Sequence, residues 1–277
     1  MSIELGKFNQ LEVVKEVDFG VYLDGGEEGE ILLPTRYVPE DCKIGDFLNV
    51  FLYLDMDERL IATTLTPLVQ VGQFACLEVS WVNQYGAFLN WGLMKDLFVP
   101  FSEQKMKMQV GKSYVVHAHI DEESYRIVAS AKIERYLSKE TPTYQAGAEV
   151  DILIWQKTDL GFKAIIDQQF PGLLYDSEIF QSLRTGMTLK AFVKQVRPDG
   201  KIDLILQKPG AAKVDDFASS LLDYIKEHGG AVKLNDKTPA DDIYQIFGVS
   251  KKTFKKAVGD LYKKHLIVLT DNGLKLA

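Results

Sequence analysis

The sequence has few cysteines and no long apolar run, and these scarcities exclude several classes of protein. Its 277 residues include two cysteines, Cys42 and Cys76, without the close spacing of metal-binding pairs. No apolar stretch approaches the roughly 20 residues that cross a bilayer. The segment Met1-Ser2-Ile3-Glu4 has no basic region followed by an apolar one, unlike a secretory signal. We therefore expect free thiols, no membrane span and a cytoplasmic location.

Residue combinations typical of catalysis are also missing. Gly111-Lys112-Ser113 resembles the end of a phosphate-binding loop, but Met106 stands where the leading glycine must be. His117 and His119 alternate on a predicted strand and share a face, which could begin a metal site. No cysteine or third histidine stands near them, so a surface or barrel-mouth pair is favoured. The sequence predicts a non-catalytic protein without a cofactor or a metal.

The net charge of −7 at first argues against a nucleic-acid-binding protein, but the charge is unevenly distributed. Residues 1–66 hold five basic and 14 acidic residues, a net charge of −9. Residues 71–137 and 146–210 are each neutral, and residues 211–277 hold 11 basic and nine acidic residues. We therefore expect any polyanion to be held by the later parts of the chain.

Glycines at a repeated spacing mark three copies of one unit. In each copy the second glycine follows the first by 14 residues, and the third follows the second by 25. Each copy has five short runs rich in Val, Ile, Phe and Tyr, separated by turn residues. Five strands in about 65 residues best bury one face by closing into a barrel, and the OB-fold is the five-stranded candidate. The glycines are Gly6, Gly20 and Gly45; Gly72, Gly86 and Gly111; and Gly147, Gly161 and Gly186.

The central glycine of the second copy is flanked by aromatic residues, in the run from Asn83 to Leu89. Tyr85 and Phe88 are three residues apart, so a regular strand would point them to opposite faces. A bulge or kink at Gly86 would bring both rings onto one face, where they could stack unpaired bases. The alternative is that both are ordinary core aromatics of a half-buried strand.

Residues 211–277 have a different pattern, typical of a winged helix. A helical stripe over 214–228 is followed by a short strand at 232–234 and by a second helix. Ser250 is the predicted N-cap of a third helix, and a hairpin turned by Asp271-Asn272-Gly273 follows. Lysines dominate the third helix, which favours phosphate contact without base reading; the alternative is an ordinary solvated face. These lysines are Lys251, Lys252, Lys255, Lys256, Lys263 and Lys264.

The predicted architecture is multidomain and mainly β, with an α+β module at the C-terminus. Three five-stranded OB-fold barrels in tandem precede the winged helix. A polar segment with a proline, 138–146, reads as the linker before the third barrel. The predicted domains are residues 1–66, 67–137, 146–210 and 211–277.

The repeats resemble the S1 domain, an OB-fold RNA-binding module. The resemblance rests on the glycine spacing, on Tyr-Gly-Ala-Phe-Leu and on Leu-Phe-Val-Pro-Phe-Ser-Glu in the second repeat. It implies an RNA face with four positions: an aromatic residue before the central glycine, another two residues after it, a histidine on the next strand, and an arginine opening the last strand.

No repeat fills all four of these positions. The first has Phe19 and Tyr22, followed by Pro34 and Leu60; the second has Tyr85 and Phe88, followed by Pro100 and Arg126; the third has Leu160 and Lys163, followed by Tyr175 and Lys201. The acidic first repeat is the weakest candidate for RNA binding, and a protein partner or a spacing role is the alternative for it.

Three S1-like repeats followed by a winged helix resemble the bacterial conserved virulence factor B family. The resemblance implies a cytoplasmic RNA-binding protein with post-transcriptional effects on gene expression. Single-stranded RNA would stack on Tyr85, Phe88, Phe162 and Tyr175. Its phosphates would be held by Arg126, Lys163, Lys201 and the lysines of the third helix. Two alternatives stay open: a regulator that binds duplex DNA through the winged helix, and a protein-interaction scaffold.

Overall fold

The computed structural model describes residues 3–179, 181–207, 212–270 and 273–277. The chain divides into two compact units, residues 1–137 and 138–277. The division lies at the start of the segment predicted as a linker. The predicted boundary between the third repeat and the C-terminal module, at 210/211, falls outside the described residues.

Three closed barrels of five strands make up most of the chain. The first contains β1 (Phe8–Val17), β2 (Gly20–Asp24), β3 (Glu30–Pro34), β4 (Phe47–Leu54) and β5 (Leu60–Thr63). The second contains β6 (Phe74–Val82), β7 (Gly86–Leu89), β8 (Leu97–Pro100), β9 (Ser113–Ile120) and β10 (Ile127–Ser130). The third contains β11 (Glu149–Thr158), β12 (Gly161–Ile166), β13 (Phe170–Tyr175), β14 (Thr188–Val196) and β15 (Ile202–Ile205).

All three barrels have one topology. In the first, β1 pairs with β2 and β4, β2 pairs with β3, and β5 closes the barrel between β3 and β4. The pair β3–β5 is parallel and the other pairs are antiparallel. The second and third barrels repeat this order, with β8–β10 and β13–β15 as the parallel pairs. The predicted tandem OB-fold architecture is confirmed.

The central glycines allow close strand contact, which corrects the kink predicted at Gly86. A Cβ at Gly86 would lie 2.2 Å from the carbonyl oxygen of Val99 on β8. A Cβ at Gly20 would likewise lie 2.2 Å from a carbonyl oxygen of β3, and a Cβ at Gly161 would lie 1.9 Å from one of β13. The bulges lie instead in the first strand of each barrel, where the register shifts between Val79 and Trp81 in the second and at matching places in the others.

The first two barrels pack against each other within the first unit. Phe51 and Tyr53 of β4 belong to the buried cluster that fills the second barrel. The Phe51 ring meets the edge of Trp91, with 5.7 Å between ring centroids. The repeats predict barrels in tandem and give no sign of this shared core.

The C-terminal module has the element order of a winged helix. Its elements are α1 (Ala212–Glu227), β16 (Ala231–Val232), α2 (Ala240–Phe247), α3 (Lys251–Lys263), β17 (Ile267–Thr270) and β18 (Gly273–Leu276). The strands form one sheet in the order β16-β18-β17. Ser250 caps α3 as predicted, since its hydroxyl accepts a bond from the Thr253 amide at 3.1 Å. Positions 271 and 272 of the predicted hairpin turn lie outside the described residues.

Buried residues of α3 fix which of its faces is exposed. Phe254, Ala257 and Leu261 are buried in the core of the module. They recur at helical spacing, so the remaining arc of α3 faces outward. Among the described helices, none is both long and apolar enough to cross a membrane.

Candidate nucleic-acid interface

The barrels share an outward position on each of their first three strands, and only the second barrel fills all three with aromatic side chains. Strand register aligns Trp81, Phe88 and Phe98 across β6, β7 and β8. The corresponding residues are Lys15, Tyr22 and Leu32 in the first barrel and Gln156, Lys163 and Leu173 in the third. We call Trp81, Phe88 and Phe98 the aromatic row.

The rings of the aromatic row stand against one another on the barrel surface. Trp81 and Phe88 are parallel, with centroids 3.7 Å apart and planes 2° apart. Phe98 lies 4.8 Å from Phe88 on its other neighbouring strand. Trp81 keeps 45% of its surface exposed, and its indole N–H donates to Asp96 Oδ2 at 3.1 Å. Exposed flat rings of this kind stack unpaired bases.

Tyr85 projects from the β6–β7 turn and not from a strand. The side-chain oxygen of Asn83 accepts bonds from the amides of Tyr85 at 2.8 Å and Gly86 at 3.1 Å. This local bonding orders the turn, and the Tyr85 ring is 66% exposed. Tyr85 and Phe88 line the same pocket, so both rings face one site, although β7 begins only at Gly86.

That pocket, which we call the joint pocket, lies where the first barrel meets the second. It has a volume of about 430 Å³. Its aromatic lining comprises Tyr53, Tyr85, Trp91, Phe88 and Phe98. Its charged lining comprises Glu58, Lys95, Asp96 and Arg126. Planar apolar walls with a few charged groups are typical of sites for small aromatic molecules.

Arg126 of the second barrel forms an ion pair with Glu58 of the first barrel. Its Nε lies 3.1 Å from Glu58 Oε2, and Lys95 Nζ lies 3.0 Å from Glu58 Oε1. Lys95 also donates to the Asp55 carbonyl oxygen at 2.8 Å. The phosphate contact predicted for Arg126 would therefore compete with Glu58. The sequence could not show this pair, because its partners belong to different repeats.

The predicted aromatic pair of the first barrel is present on its surface. Phe19 is 57% exposed, and its ring meets the half-buried Tyr22 edge-to-face at 6.4 Å. Lys15 Nζ lies 5.4 Å from the centre of the Tyr22 ring and 3.8 Å from Glu30. This barrel offers two rings within the most acidic part of the chain.

In the third barrel, Phe162 is buried, so the prediction that it stacks bases is wrong. It is 9% exposed and belongs to the barrel core, because it alternates on β12 with the half-buried Lys163. The Lys157 ammonium covers it, 4.3 Å from the ring centre. A strict count of strand alternation would have placed Phe162 inside.

Tyr175 is half-buried and held by Arg197, a residue that the sequence analysis missed. The Arg197 guanidinium donates to the Tyr175 hydroxyl and pairs with the buried Asp203 at 2.9 Å. The hydrogen bond to Asp203, and after it the smaller effect of the hydrogen bond to Tyr175, raises the pKa of Arg197. Lys201 pairs with Asp199 at 2.8 Å, so a phosphate contact by either cation would compete with a carboxylate.

Lys163 lies against an aromatic ring of its own barrel. Its ammonium is 4.9 Å from the centre of the buried Trp155 ring. It occupies the position that Phe88 has in the second barrel. The outward face of the third barrel therefore presents a cation where the second presents a stacked ring.

The lysines of α3 lie on one face. At 100° per residue, the five lysines of the helix fall within an arc of about 140° that also contains Tyr262. Lys251 is half-buried, Lys252, Lys255, Lys256 and Lys263 are exposed, and Tyr262 is 51% exposed. Lys264 follows the helix and pairs with Asp260 at 2.7 Å. We call this arc the lysine face.

His117 is buried and His119 is half-buried, which corrects the surface position, one of the two positions favoured for this pair, in the case of His117. His117 is 7% exposed and lies between Phe74 and Tyr136, with ring centroids 4.6 Å and 4.1 Å away. Burial, with a smaller effect of His119, lowers the pKa of His117 to about 4. Within the described parts of the chain, no three His, Cys, Asp or Glu side chains are grouped to hold a metal ion.

Two domain families match this chain. A family model described as S1 domain matches residues 5–65, and one described as CvfB-like winged helix domain matches residues 219–276. S1 and winged-helix domains are nucleic-acid-binding modules. The chain therefore has domains of nucleic-acid-binding type near both ends.

Three bacterial proteins are similar to this chain over nearly its whole length. Uncharacterized protein YitL of Bacillus subtilis is 30% identical over 95% of this chain and 90% of its own length. Conserved virulence factor B of Staphylococcus epidermidis is 22% identical over 95% of this chain and 91% of its own. A crystal structure of a multidomain protein with nucleic acid binding domains from Streptococcus pneumoniae aligns with 99% of this chain and 98% of its own, at 25% identity and a TM-score of 0.44.

Proposed function

Since the chain belongs to the conserved virulence factor B family, whose domains are nucleic-acid-binding modules, we propose that it binds single-stranded RNA without catalysis. In this proposal it acts in the cytoplasm, in the post-transcriptional regulation of gene expression. Most of the bound strand is held without sequence preference. The observation that carries the proposal is the aromatic row beside Tyr85.

Exposed rings favour a single strand over a duplex. The faces of paired bases are covered by their neighbours in a helix, whereas unpaired bases offer them for stacking. Trp81 and Tyr85 are both largely exposed, at 45% and 66%. Each stacked base contributes about 1–3 kcal/mol, so a few rings support useful affinity when a second module holds the same strand.

The lysine face supplies that second contact in the proposal. Lysine binds phosphate as a point charge, whereas base edges are read by Arg, Asn and Gln. The sequence from Lys251 to Lys263 contains none of those three residue types. The composition of α3 therefore supports a sequence-tolerant backbone contact and counts against a reader of a DNA operator.

Competition binding tests the choice of nucleic acid. Fluorescence anisotropy with the full chain would compare a 20-nucleotide RNA without secondary structure, the same sequence as DNA, and a DNA duplex, at about 50 and 200 mM salt. We expect the single-stranded RNA to bind at least about tenfold more tightly than the duplex, with affinity falling as salt rises. Preference for the duplex, or no RNA binding at the lower salt, overturns the proposal.

A variant of the aromatic row tests the stacking surface. Trp81→Ala removes one ring and should weaken RNA binding by about 5- to 100-fold, which corresponds to one stacked base. Phe47→Ala is the matched control, because Phe47 is 57% exposed on β4 of the first barrel and lies outside the aromatic row. Equal affinities of the two variants would remove the row from the interface.

A further inference from the structure

The joint pocket has the shape of a site for a planar ring. Its volume of about 430 Å³ falls within the range of small-molecule sites, about 300–1,000 Å³. Tyr85, Phe88 and Phe98 of the second barrel line it, and Tyr53 of the first barrel lines it as well. Trp81 is not among the lining residues, so stacking on the exposed Trp81 and occupation of the pocket are separate events.

The charge of the joint pocket suits a base better than a phosphate. Its charged lining contains two carboxylates and two cations. Glu58 bonds both cations, Lys95 at 3.0 Å and Arg126 at 3.1 Å. A phosphate placed there would meet two carboxylates beside cations that are already paired. A neutral ring with polar edges meets no such repulsion.

Asp96 is the carboxylate with open acceptor positions. Both oxygens of Glu58 are taken by ion pairs. Asp96 Oδ2 accepts one bond, from the Trp81 indole at 3.1 Å, and no other side chain of the described residues bonds Asp96. The indole bond orients this carboxylate and leaves Oδ1 with its lone pairs available. Asp96 is half-buried and lines the pocket.

The four bases differ in what they offer to one carboxylate. Guanine carries two adjacent donors on its pairing edge, the ring imino N–H and the exocyclic amino group, with a carbonyl oxygen beside them. Adenine and cytosine each offer one amino group next to an acceptor, and uracil offers one imino N–H between two carbonyl oxygens. Acceptors facing a carboxylate repel it, so two parallel bonds are open to guanine alone.

We propose that the joint pocket binds one unpaired guanine base of the RNA strand, stacked against its aromatic lining and recognised by the Asp96 carboxylate. Lys95 and Arg126 also line the pocket and are N–H donors that suit the guanine carbonyl oxygen. The proposal rests on RNA binding by this protein. It assigns the first barrel, through Tyr53 and Glu58, a part in completing the site.

Single-base substitution in a short RNA tests the guanine site. The full chain is titrated with twelve-uridine RNA and with versions carrying one central guanine, adenine, cytosine or inosine. We expect guanine to strengthen binding by about tenfold over uridine, as one well-placed bidentate contact does. Inosine lacks the exocyclic amino group and should give a smaller gain. Equal affinity for all five RNAs, or a preference for another base, overturns the guanine site while RNA binding itself stands.

Asp96→Asn tests the residue assigned to recognition. Asparagine has the same shape and keeps an oxygen for the Trp81 indole, but it replaces one acceptor by a donor. We expect the guanine preference to disappear, so that within this variant the guanine-containing RNA and twelve-uridine RNA bind equally. Glu78→Gln is the control, since Glu78 is exposed on β6 and lies outside the pocket lining. A preference that survives in Asp96→Asn refutes the assignment, whereas absence of any RNA binding by the unaltered chain refutes the proposed function instead.

Discussion

Arg126 of the second barrel and Glu58 of the first form an ion pair at the joint pocket, with 3.1 Å between Nε and Oε2. The same carboxylate holds Lys95 at 3.0 Å. Glu58→Gln removes the negative charge and leaves both cations able to attract phosphate. We expect affinity for single-stranded RNA to rise about two- to tenfold at 50 mM salt, with a steeper salt dependence, because more counterions are released on binding.

A neighbouring acid of the same turn provides the control for Glu58. Asp57 pairs with Arg59 at 3.0 Å and is outside the pocket lining. Asp57→Asn changes the net charge of the chain equally and should alter RNA affinity less than twofold. Weaker RNA binding by Glu58→Gln would mean that the carboxylate positions Lys95 and Arg126 productively instead of competing for them.

The exposed tyrosines of the second barrel allow a matched test of ring position. Tyr85 lines the joint pocket and is 66% exposed, and Tyr125 lies in the β9–β10 turn and is 73% exposed. Tyr85→Ala should weaken RNA binding by about 5- to 100-fold because it deletes a stacking surface. Tyr125→Ala should bind as the unaltered chain does. Anisotropy titrations of both variants at one salt concentration measure the difference, and a larger loss in Tyr125→Ala would move the interface to the other turn.

The lysine face should account for much of the salt dependence. Each phosphate contact to a single strand contributes about 0.7 to the slope of log affinity against log salt. Replacing Lys252, Lys255 and Lys256 by alanine should therefore reduce that slope by about two and lower affinity at low salt. The control replaces three exposed lysines elsewhere in the module, Lys226, Lys233 and Lys237. Identical slopes for the two triple variants would show that the lysine face is only solvated.

The close approach at Gly86 makes a prediction about stability. A Cβ there would lie 2.2 Å from the Val99 carbonyl oxygen, so β7 and β8 must separate in Gly86→Ala. We expect a loss of about 3 kcal/mol in the free energy of unfolding of the first unit. Gly111→Ala is the comparison, because its Cβ meets nothing within 4 Å while its φ of 76° costs an alanine about 1 kcal/mol. Urea denaturation of both variants measures the two costs, which should differ clearly.

The repeated glycines and the α3 pattern were sufficient to predict the architecture. The spacing of Gly20, Gly86 and Gly161 follows from one physical need, close contact between the second and third strands of each barrel. The capping role of Ser250 follows from local chemistry. The cap depends on neighbours in the chain, and the glycine requirement recurs at one spacing in three repeats, so one sequence is enough to detect both.

The site was predicted less completely, because it depends on register between strands. Trp81 was missed although it pairs directly with Phe88 across the β6–β7 hairpin. Counting residues outward from the β6–β7 turn would have paired Trp81 with Phe88. Counting along β6 from its first residue fails, because the bulge before Trp81 interrupts the alternation of inward and outward side chains. The pair of Glu58 with Arg126 joins two barrels, and no periodicity within one repeat could have revealed it.

Burial of His117 predicts a pH dependence of stability. Its pKa is lowered from 6.5 to about 4, so between those values the unfolded chain binds a proton that the folded chain excludes. The free energy of unfolding should therefore rise with pH through this window and become flat above it. His117→Phe lacks the titrating group, so its free energy of unfolding should not fall in this way. As the pH is lowered from 7.5 to 4.5, the free energy of unfolding of the variant should therefore rise by about 2–3 kcal/mol relative to that of the unaltered chain. Urea unfolding of full-length chains that also carry Trp155→Phe measures it, because fluorescence then reports on Trp81 and Trp91 of the first unit. A difference that does not change with pH would show that burial does not lower the pKa of His117 below its value in the unfolded chain.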